Sequence, residues 1–445
     1  MQRVRFFAAL LAVVITLGTL GAPARAITLL RDPDIEHGLR QLAAPVLRAA
    51  GLSAERVDIL VIDAPSLNAF VVDANSIFLH SGLILRMDNA AMLQSVIAHE
   101  AAHIANGHLM RRPINLRNAR TAAALGTALA GIAGAAAGSG EFAAGAAAGI
   151  QGAAMRSFFS HTRAEENAAD TSGMRFMHAA GIDLSGAVQV MDLFRGQESL
   201  SVTRQDAYAR THPLSRDRFR RVRALAEAQA GKAAPNPTAD YWFARAKGKL
   251  SAFQRAPKWT LARAGETGFE EIRLMREAVA HHRRSDLGRA LPAIDGAIAA
   301  RPDDPYLHEL RGQILMESRQ IKPAVAAYGR AAALAPDNAL ILGAYGRALL
   351  ADGQVEKAAQ ILESARARDG RDIRLLRDLA QAEAQMGNRG MASVLTAERY
   401  AMAGRLKDAS IHARRASDLL PRGSPGWQRA QDILVAAEAA EKRRK

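Results

Sequence analysis

The chain has 445 residues, of which 49% are hydrophobic and 23% are charged, a composition typical of a globular protein large enough for two or three cores. It carries 59 basic and 44 acidic side chains, a net charge of +15, but only 5% aromatic residues, which argues against a surface that stacks nucleic-acid bases. Because the chain has no cysteine, disulfides, thiolate metal ligands and a lipidated-cysteine anchor are excluded.

The first 26 residues have the features of a signal peptide. Arg3 and Arg5 precede an apolar run over residues 6–20, and Ala24-Arg25-Ala26 is a small-x-small cleavage sequence. The apolar run is short for a membrane-spanning helix, so we expect export to the periplasm with cleavage after Ala26. The excess of basic side chains mostly reflects solvated helix faces, and it would also allow peripheral contact with anionic lipid headgroups.

The next segment is predicted to form one helix and a small sheet. Residues 32–50 have helical spacing of apolar positions and end at Gly51. Three short segments that follow have strand composition and are separated by turn residues, at 57–62, 69–72 and 76–80. We expect a meander packed against the helix described next, with the segment 77–82 at the edge of the sheet or beside it, where an extended substrate adds as a strand.

His99-Glu100-Ala101-Ala102-His103 is an HExxH sequence within an apolar helical stretch that has no proline or glycine until Gly107. Positions four apart lie on one face of a helix, so both imidazoles can bind a single zinc ion. Glu100 then lies beside the ligands as the general base for water. The alternative is a pair of histidines in an ordinary core helix.

A catalytic zinc ion needs a third protein ligand. The pattern HExxHxxGxxH is excluded, because Asn106 and Leu109 occupy the positions of its glycine and histidine. The other arrangement places a glutamate on a second helix and, four residues later, an aspartate that orients one of the zinc histidines. Glu166 and Asp170 have this spacing, whereas Glu165 points about 100° away from Glu166. An acidic helix N-terminus would explain the two glutamates but not the spacing to Asp170.

Two segments near these motifs have less specific signals. Residues 121–154 are nearly all alanine and glycine and contain few large apolar side chains, so a lid or membrane-touching hairpin is favoured over a membrane span. The loop Thr211-His212-Pro213 follows the second ligand helix. His212 is a candidate either to stabilise the oxyanion of the tetrahedral intermediate or to occupy the open position of zinc, and the alternative is an incidental histidine at a helix entry.

The C-terminal half is repetitive. Residues 231–238 have linker composition, 239–278 are expected to be connecting helices, and 279–441 are expected to form a solenoid with a capping helix. Its pattern recurs every 34 residues, the tetratricopeptide period, in the pairs Pro302 and Pro336, Gly312 and Gly346, Leu315 and Leu349, and Ala324 and Ala358. About four units are present. Such arrays bind other proteins in a groove and have no chemistry of their own.

Several separated motifs together resemble metallopeptidase family 48, the HtpX, Oma and BepA group, and in particular its secreted BepA-like branch with C-terminal tetratricopeptide repeats. The motifs recur in family order over about residues 27–225. They are Asn68-Ala69-Phe70, Ile77-Phe78-Leu79-His80-Ser81-Gly82-Leu83, the HExxH sequence, Glu166 with Ala169-Asp170, and Thr211-His212-Pro213 with Arg218. The family usually has Ser-Arg where this chain has Ser160-His161, and its nearest arginine is Arg163.

The resemblance, together with the ligand spacing, implies an α+β, mainly α fold: a gluzincin-type peptidase domain over 27–230 with a small β-sheet, followed by an all-α tetratricopeptide solenoid. It implies a zinc metalloendopeptidase with one Zn²⁺ per chain, held by His99, His103 and Glu166. Expected clients are unfolded or misassembled envelope proteins, in outer-membrane protein quality control, and the repeats are expected to bind a protein partner such as the outer-membrane assembly machinery. An alternative is a chaperone or assembly factor whose peptidase site is mostly closed.

Overall fold

The computed structural model describes residues 28–108, 162–201, 204–370 and 372–442. The expected signal peptide and the Ala/Gly-rich segment 121–154 lie outside the described residues. The strands are Leu29–Leu30 (β1), Asp58–Ile62 (β2), Ala69–Asp73 (β3) and Ser76–His80 (β4). The helices up to the linker are Pro33–Ala49 (α1), Ser81–Arg86 (α2), Ala90–Ala105 (α3), Arg163–Ala179 (α4), Ser185–Leu193 (α5), Ala207–Thr211 (α6) and Arg216–Ala228 (α7).

Twelve further α-helices follow the linker in the described part of the chain. They are Pro237–Gln254 (α8), Pro257–Ala262 (α9), Glu270–His282 (α10), Leu287–Ala300 (α11), Pro305–Glu317 (α12), Ile321–Leu334 (α13), Ala339–Ala351 (α14), Val355–Arg368 (α15), Ile373–Gln385 (α16), Arg389–Met402 (α17), Leu406–Leu419 (α18) and Pro425–Lys442 (α19). The expected fold class, mainly helical with a small N-terminal sheet and an all-helical repeat array, is confirmed.

Residues at both ends of helix α1 define where it begins and ends. The Asp32 side chain accepts hydrogen bonds from the backbone N–H groups of Asp34 and Ile35, which caps the N-terminus, and Pro33 occupies the first turn. The chain leaves the helix at Gly51, whose φ of 72° is in the left-handed region that favours glycine. The predicted extent of 32–50 therefore agrees with the structure to within one residue at each end.

The sheet differs from the expected meander. Its strand order is β1-β2-β4-β3, with β2 parallel to β4 and β3 antiparallel to β4. The three predicted strands are present, but the short strand β1, which pairs with β2, was not predicted. Strand β4 is interior, with Ile77 and Leu79 fully buried, and β3 is its edge neighbour. The segment 77–82 is thus beside the edge, one of the two positions expected for it.

One hydrophobic core joins the sheet to the helices around it. It extends from Ile35 on α1 through β2, β3, β4 and α3 to Leu250 on α8. Helix α3 lies at its centre, and Ala98, Ala101 and Ala102 on it are fully buried. Small side chains on a central helix permit close approach of its neighbours, and this is how α4 comes to lie against α3, with the fully buried Ala169 facing Ala102 in one cluster.

The repeats pack as paired helices, and the 34-residue period has a steric basis. A Cβ atom at Gly312 on α12 would lie 2.8 Å from the Tyr328 ring on α13. One period later, a Cβ atom at Gly346 on α14 would lie 2.5 Å from the Leu362 side chain on α15. Glycine at these positions lets the two helices of each repeat approach closely, as the sequence predicted. Among the described helices, none is long and apolar enough to cross a membrane.

A buried charge network joins α8 to both halves of the molecule. Arg245 donates to Asp34 on α1 at 2.6 Å and to Asp304, the residue before α12, at 3.0 Å. Lys249, which is fully buried, lies 3.7 Å from Asp34 and 3.7 Å from Glu309 on α12. These ionic contacts hold the first helix of the sheet-containing half against the repeats through two cations of a single helix.

Candidate metal centre

Helix α3 presents the HExxH residues toward the interior of the fold. The Asn89 side chain caps the helix by accepting from the backbone N–H of Met92 at 2.9 Å. Ten residues after the cap, the helix carries His99, which is 7% exposed, and then the fully buried Glu100 and His103. Charged and polar side chains this deeply buried require partners close by.

Helix α4 supplies those partners, and its cap separates the two adjacent glutamates. Glu165 forms a capping box with Thr162: its carboxylate accepts from the Thr162 backbone N–H at 2.9 Å, and the Thr162 hydroxyl accepts from the Glu165 backbone N–H. Glu165 is thereby turned toward the helix end. Glu166, one residue further round the helix, is fully buried and faces α3.

Four side chains converge on one point. The ligand-capable atoms of His99, His103, Glu166 and His212 all lie within 4.8 Å of one another. His99 Nε2 is 3.1 Å from both His103 Nε2 and His212 Nδ1, and Glu166 Oε1 is 3.0 Å from His212 Nδ1 and 3.4 Å from His103 Nε2. Glu166 Oε2 lies 3.4 Å from His99 Nε2.

This convergence fits a metal cation better than a hydrogen-bond network. A ring nitrogen carries at most one proton, so His99 Nε2 cannot donate to both His103 and His212. Zinc bonds of about 2.0–2.1 Å to nitrogen place tetrahedral ligand atoms about 3.3 Å apart, close to the 3.0–3.4 Å separations among these four groups. Three imidazoles and one carboxylate are also the donor types that zinc prefers.

Asp170 and Arg218 hold this cluster from outside. Asp170 Oδ1 lies 3.1 Å from His99 Nδ1, the ring nitrogen that faces away from the convergence point. Arg218 on α7 donates to both oxygens of Asp170 and to the Pro213 carbonyl, and it lies 2.7 Å from Glu166 Oε2. The predicted spacing of Glu166 and Asp170 therefore brings both to the HExxH helix, and Asp170 contacts His99 rather than His103.

His108 was not among the residues singled out from the sequence. It is 3% exposed, and its Nδ1 lies 2.8 Å from His103 Nδ1, so it contacts His103 as Asp170 contacts His99. The available signal was Gly107, where φ is 68°: a glycine in this conformation ends the helix and turns the chain back, which returns the next residue to the helix surface.

His212 lies inside the cluster rather than on an open loop. It ends the short helix α6, is 1% exposed and packs against the Tyr208 ring with centroids 4.6 Å apart. Its Nε2 faces Glu100 Oε1 and the carbonyl oxygen of Ala69 on β3, each at 3.3 Å. The same imidazole therefore contacts the ligand group, the expected general base and the edge strand of the sheet.

The charges of the cluster are strongly coupled. Burial alone would lower the pKa of His99, but the carboxylates of Glu166 and Asp170 outweigh it and raise that pKa to about 10. Burial alone would raise the pKa of Glu166, but the imidazoles of His212 and His99 hold it well below its ordinary value. Burial likewise holds the pKa of His103 well below its ordinary value. Ionised carboxylates here face positive charge on the imidazoles. A bound divalent cation would take the place of that positive charge.

Two parts of the chain are similar to known protein families. A peptidase family M48 profile matches residues 30–226, and a tetratricopeptide repeat profile matches residues 315–382. The chain is 27% identical to the beta-barrel assembly-enhancing protease of Escherichia coli O157:H7 over 411 residues, which are 89% of this chain and 81% of that protein. It is 36% identical to protease HtpX of Enterobacter sp. strain 638 over 81 residues, 17% of this chain and 27% of that protein. A solved tetratricopeptide-repeat protein of Thermus thermophilus matches 37% of this chain and 99% of its own length, with 19% identity and a TM-score of 0.25.

Proposed function

Because this chain is a metalloprotease that joins a peptidase family M48 domain to tetratricopeptide repeats, we propose that it is a zinc-dependent endopeptidase of the periplasm. Its clients are unfolded or misassembled envelope proteins, chiefly precursors of outer-membrane β-barrels. The envelope role is supported by the similarity to the beta-barrel assembly-enhancing protease. The observation that carries the proposal is the convergence of His99, His103 and Glu166 beside the buried carboxylate of Glu100.

In this proposal His99, His103 and Glu166 hold one zinc ion. Zinc, when bound, supplies a Lewis acid that makes water more acidic and polarises a peptide carbonyl. Asp170 fixes the ring of His99 by accepting from its Nδ1–H, which leaves Nε2 directed at the convergence point. His108 does the same for His103 through the 2.8 Å contact between their Nδ1 atoms. Both ligand histidines are thereby oriented before the metal arrives.

Glu100 is the general base of the proposed reaction. It accepts a proton from the attacking water and passes that proton to the leaving amine, so that the carboxylate is restored when the peptide bond has broken. The fully buried Glu100 lies on the turn of α3 between the two ligand histidines. Burial around this carboxylate excludes bulk water and strengthens its interaction with the reacting groups.

Strand β3 is the proposed binding edge for the substrate backbone. In the sheet order β1-β2-β4-β3 of the described strands it lies at one edge, next to β4, and Val72 near its end is 54% exposed. The Ala69 carbonyl on this strand is 3.3 Å from His212 Nε2, so a chain added along the edge passes the cluster. Strand addition recognises extended backbone more than sequence, which suits unpaired strands of stalled β-barrel precursors.

His212 closes the site in the resting protein. Its Nδ1 lies 3.0–3.1 Å from Glu166 Oε1 and His99 Nε2, close to the separation of about 3.3 Å between tetrahedral zinc ligands. A site closed in this way supports a second candidate function, that of a chaperone or assembly factor in which the repeats act on envelope proteins and hydrolysis is rare. The two functions differ in whether the carboxylate of Glu100 is required.

The test is Glu100→Gln in the full-length protein. Glutamine keeps the shape of the side chain but cannot accept the proton, so hydrolysis of an unfolded β-barrel precursor should fall by about a hundredfold or more with zinc content unchanged. Glu165→Gln is the matched control, because Glu165 caps α4 outside the cluster, and it should retain activity. Unchanged hydrolysis in Glu100→Gln would refute the mechanism. Lost hydrolysis with intact β-barrel assembly in cells would favour the assembly-factor function.

A further inference from the structure

A groove outside the metal centre carries an unusual set of charges. It lies between α16, α17 and α18 and has a volume of about 790 Å³, within the range of established binding sites. Its charged and titratable lining residues are Arg377, Arg389, Arg399, His412, Arg415 and Asp418. We call it the arginine groove. Five potential cations thus face one carboxylate.

Three of these arginines have no carboxylate partner within the described part of the chain. Arg389, Arg399 and Arg415 form no ion pair there, although Arg399 lies over the Tyr400 ring at 4.7 Å. Many other arginines of the repeats do form an ion pair, for example Arg429 with Glu398 at 2.6 Å. The groove therefore brings three arginines without a carboxylate partner in the described part of the chain to one recess.

His412 lies among positively charged side chains of the arginine groove. Burial and the positive charges of Arg415 and Arg399 hold the pKa of His412 below its ordinary value, against the opposite effect of Asp408. The groove also has room for a backbone, because Ala380, Ala384 and Ala392 line it with small side chains. A groove that is lined by alanines and flanked by cations suits a ligand that is narrow, extended and acidic.

We propose that the arginine groove binds an extended acidic polypeptide segment of a partner or client protein. Arginine is the residue that best pairs with carboxylates, through its planar set of donors. A flat lipid surface fits an outward-facing patch, whereas here the cations border a recess between three helices.

Binding of an acidic segment in the arginine groove would identify the class of protein that the repeats bind, and it therefore extends the proposed function. It depends on none of the metal ligands, and its test measures binding and not hydrolysis. Failure of the proposed peptidase mechanism would leave the result of this test unchanged. The assay can also use the Glu100→Gln protein, which keeps the probe intact.

The experiment measures fluorescence anisotropy of a labelled peptide of alternating glutamate, serine and leucine with the full-length protein. A peptide of the same length with lysine in place of glutamate is the matched probe. The acidic peptide should bind and the basic one should not, and binding should weaken as added salt screens the exposed charges. Arg389→Glu combined with Arg415→Glu should weaken binding about tenfold or more, since both charges become repulsive.

The control is Arg414→Glu combined with Arg422→Glu, which changes the net charge equally at two exposed residues outside the groove. It should bind the acidic peptide as the unchanged protein does. Arg389→Ala with Arg415→Ala should also weaken binding, and circular dichroism checks that each variant is folded. Equal loss in the control pair would overturn the proposal in favour of long-range charge attraction. So would groove-dependent binding to phosphatidylglycerol vesicles with no binding to the peptide, because that result would assign the groove to lipid.

Discussion

Arg218 holds Asp170 through two parallel hydrogen bonds, from Nε to Oδ2 at 2.7 Å and from Nη2 to Oδ1 at 2.8 Å. Asp170 in turn faces His99 Nδ1 at 3.1 Å. Burial alone would raise the pKa of Asp170. The guanidinium of Arg218, which is 3% exposed, outweighs burial and holds that pKa below its ordinary value. A residue of α7 thereby controls the orientation of a proposed metal ligand that it does not touch.

Arg218→Lys should weaken zinc binding about ten- to a hundredfold. Lysine keeps the charge but lacks the planar pair of donors, so Asp170 and the ring of His99 lose their fixed orientation. Competition with a chelator of known affinity measures the change. Arg163→Lys is the control, because Arg163 is exposed at the start of α4. Equal zinc affinity in the Arg218→Lys protein and the unchanged protein would show that orientation by Arg218 is unimportant.

The two adjacent glutamates of α4 should differ in their effect on the metal. Glu166→Ala should remove most of the bound zinc, because two protein ligands bind zinc far more weakly than three. Glu165→Ala should keep the zinc and lower stability by about 0.5–2 kcal/mol through loss of the cap. Elemental analysis of the purified proteins and thermal unfolding give the two readings. If Glu165→Ala were to empty the site and Glu166→Ala did not, the proposed ligand set would be wrong.

Replacement of His212 separates the two roles considered for it. If His212 closes the site, His212→Ala should raise the hydrolysis of unfolded substrate and the rate of self-cleavage. If it stabilises the oxyanion, the same change should lower turnover by roughly ten- to a thousandfold. We expect an increase, because Nδ1 of His212 lies within the ligand group. Rates with an unfolded casein and with a β-barrel precursor decide the sign, and no change with either would exclude both roles.

The buried carboxyl of Glu309 should give the stability a pH dependence. Burial, with the repulsion of Asp32 and Asp34, outweighs the attraction of Lys249 and raises the pKa of Glu309 to about 7. A raised folded-state pKa means that the contribution of Glu309 to stability is present below about pH 4.5 and is lost as the pH rises through about 7. Glu309→Gln imitates the protonated form.

The glutamine variant should therefore become more stable relative to the unchanged protein as the pH rises from about 5 to about 8, by about 1–3 kcal/mol. Thermal unfolding at the two pH values measures the difference. Glu356→Gln, at an exposed position of α15, should show no such trend. A relative loss of stability at the higher pH would mean that the ionised form of Glu309 is the one that the network stabilises.

Local features were predictable from sequence because their causes are local. Asp32 and Gly51 mark the ends of α1, and the 34-residue period places Gly312 and Gly346 at equivalent contacts. The order of strands was not, because a parallel pair such as β2 and β4 depends on how the chain between them crosses the sheet. The two-residue strand β1 is too short for any periodic signal.

The same distinction holds for the metal centre. Helical spacing brought His99 to His103 and Glu166 to Asp170, since i and i+4 positions share a face. The joining of those two helices required contacts between residues more than sixty positions apart. The sequence suggested it only indirectly, through the need of zinc for a third ligand, the spacing of Glu166 and Asp170, and the family resemblance. The contact between Arg218 and Asp170, 48 residues apart, needed the fold, because charge alone does not select one partner among 59 basic side chains.

The charge network of α8 limits how this protein could be rebuilt from parts. Arg245 and Lys249 belong to the helix after the linker, yet their carboxylate partners lie on both sides of it, at Asp34 and at Asp304 and Glu309. A chimera that exchanges the repeats at residues 231–238 would leave Asp34 buried without its cations. Transplantable units in this architecture therefore begin after α8, and any foreign array must bring acidic residues to meet that helix.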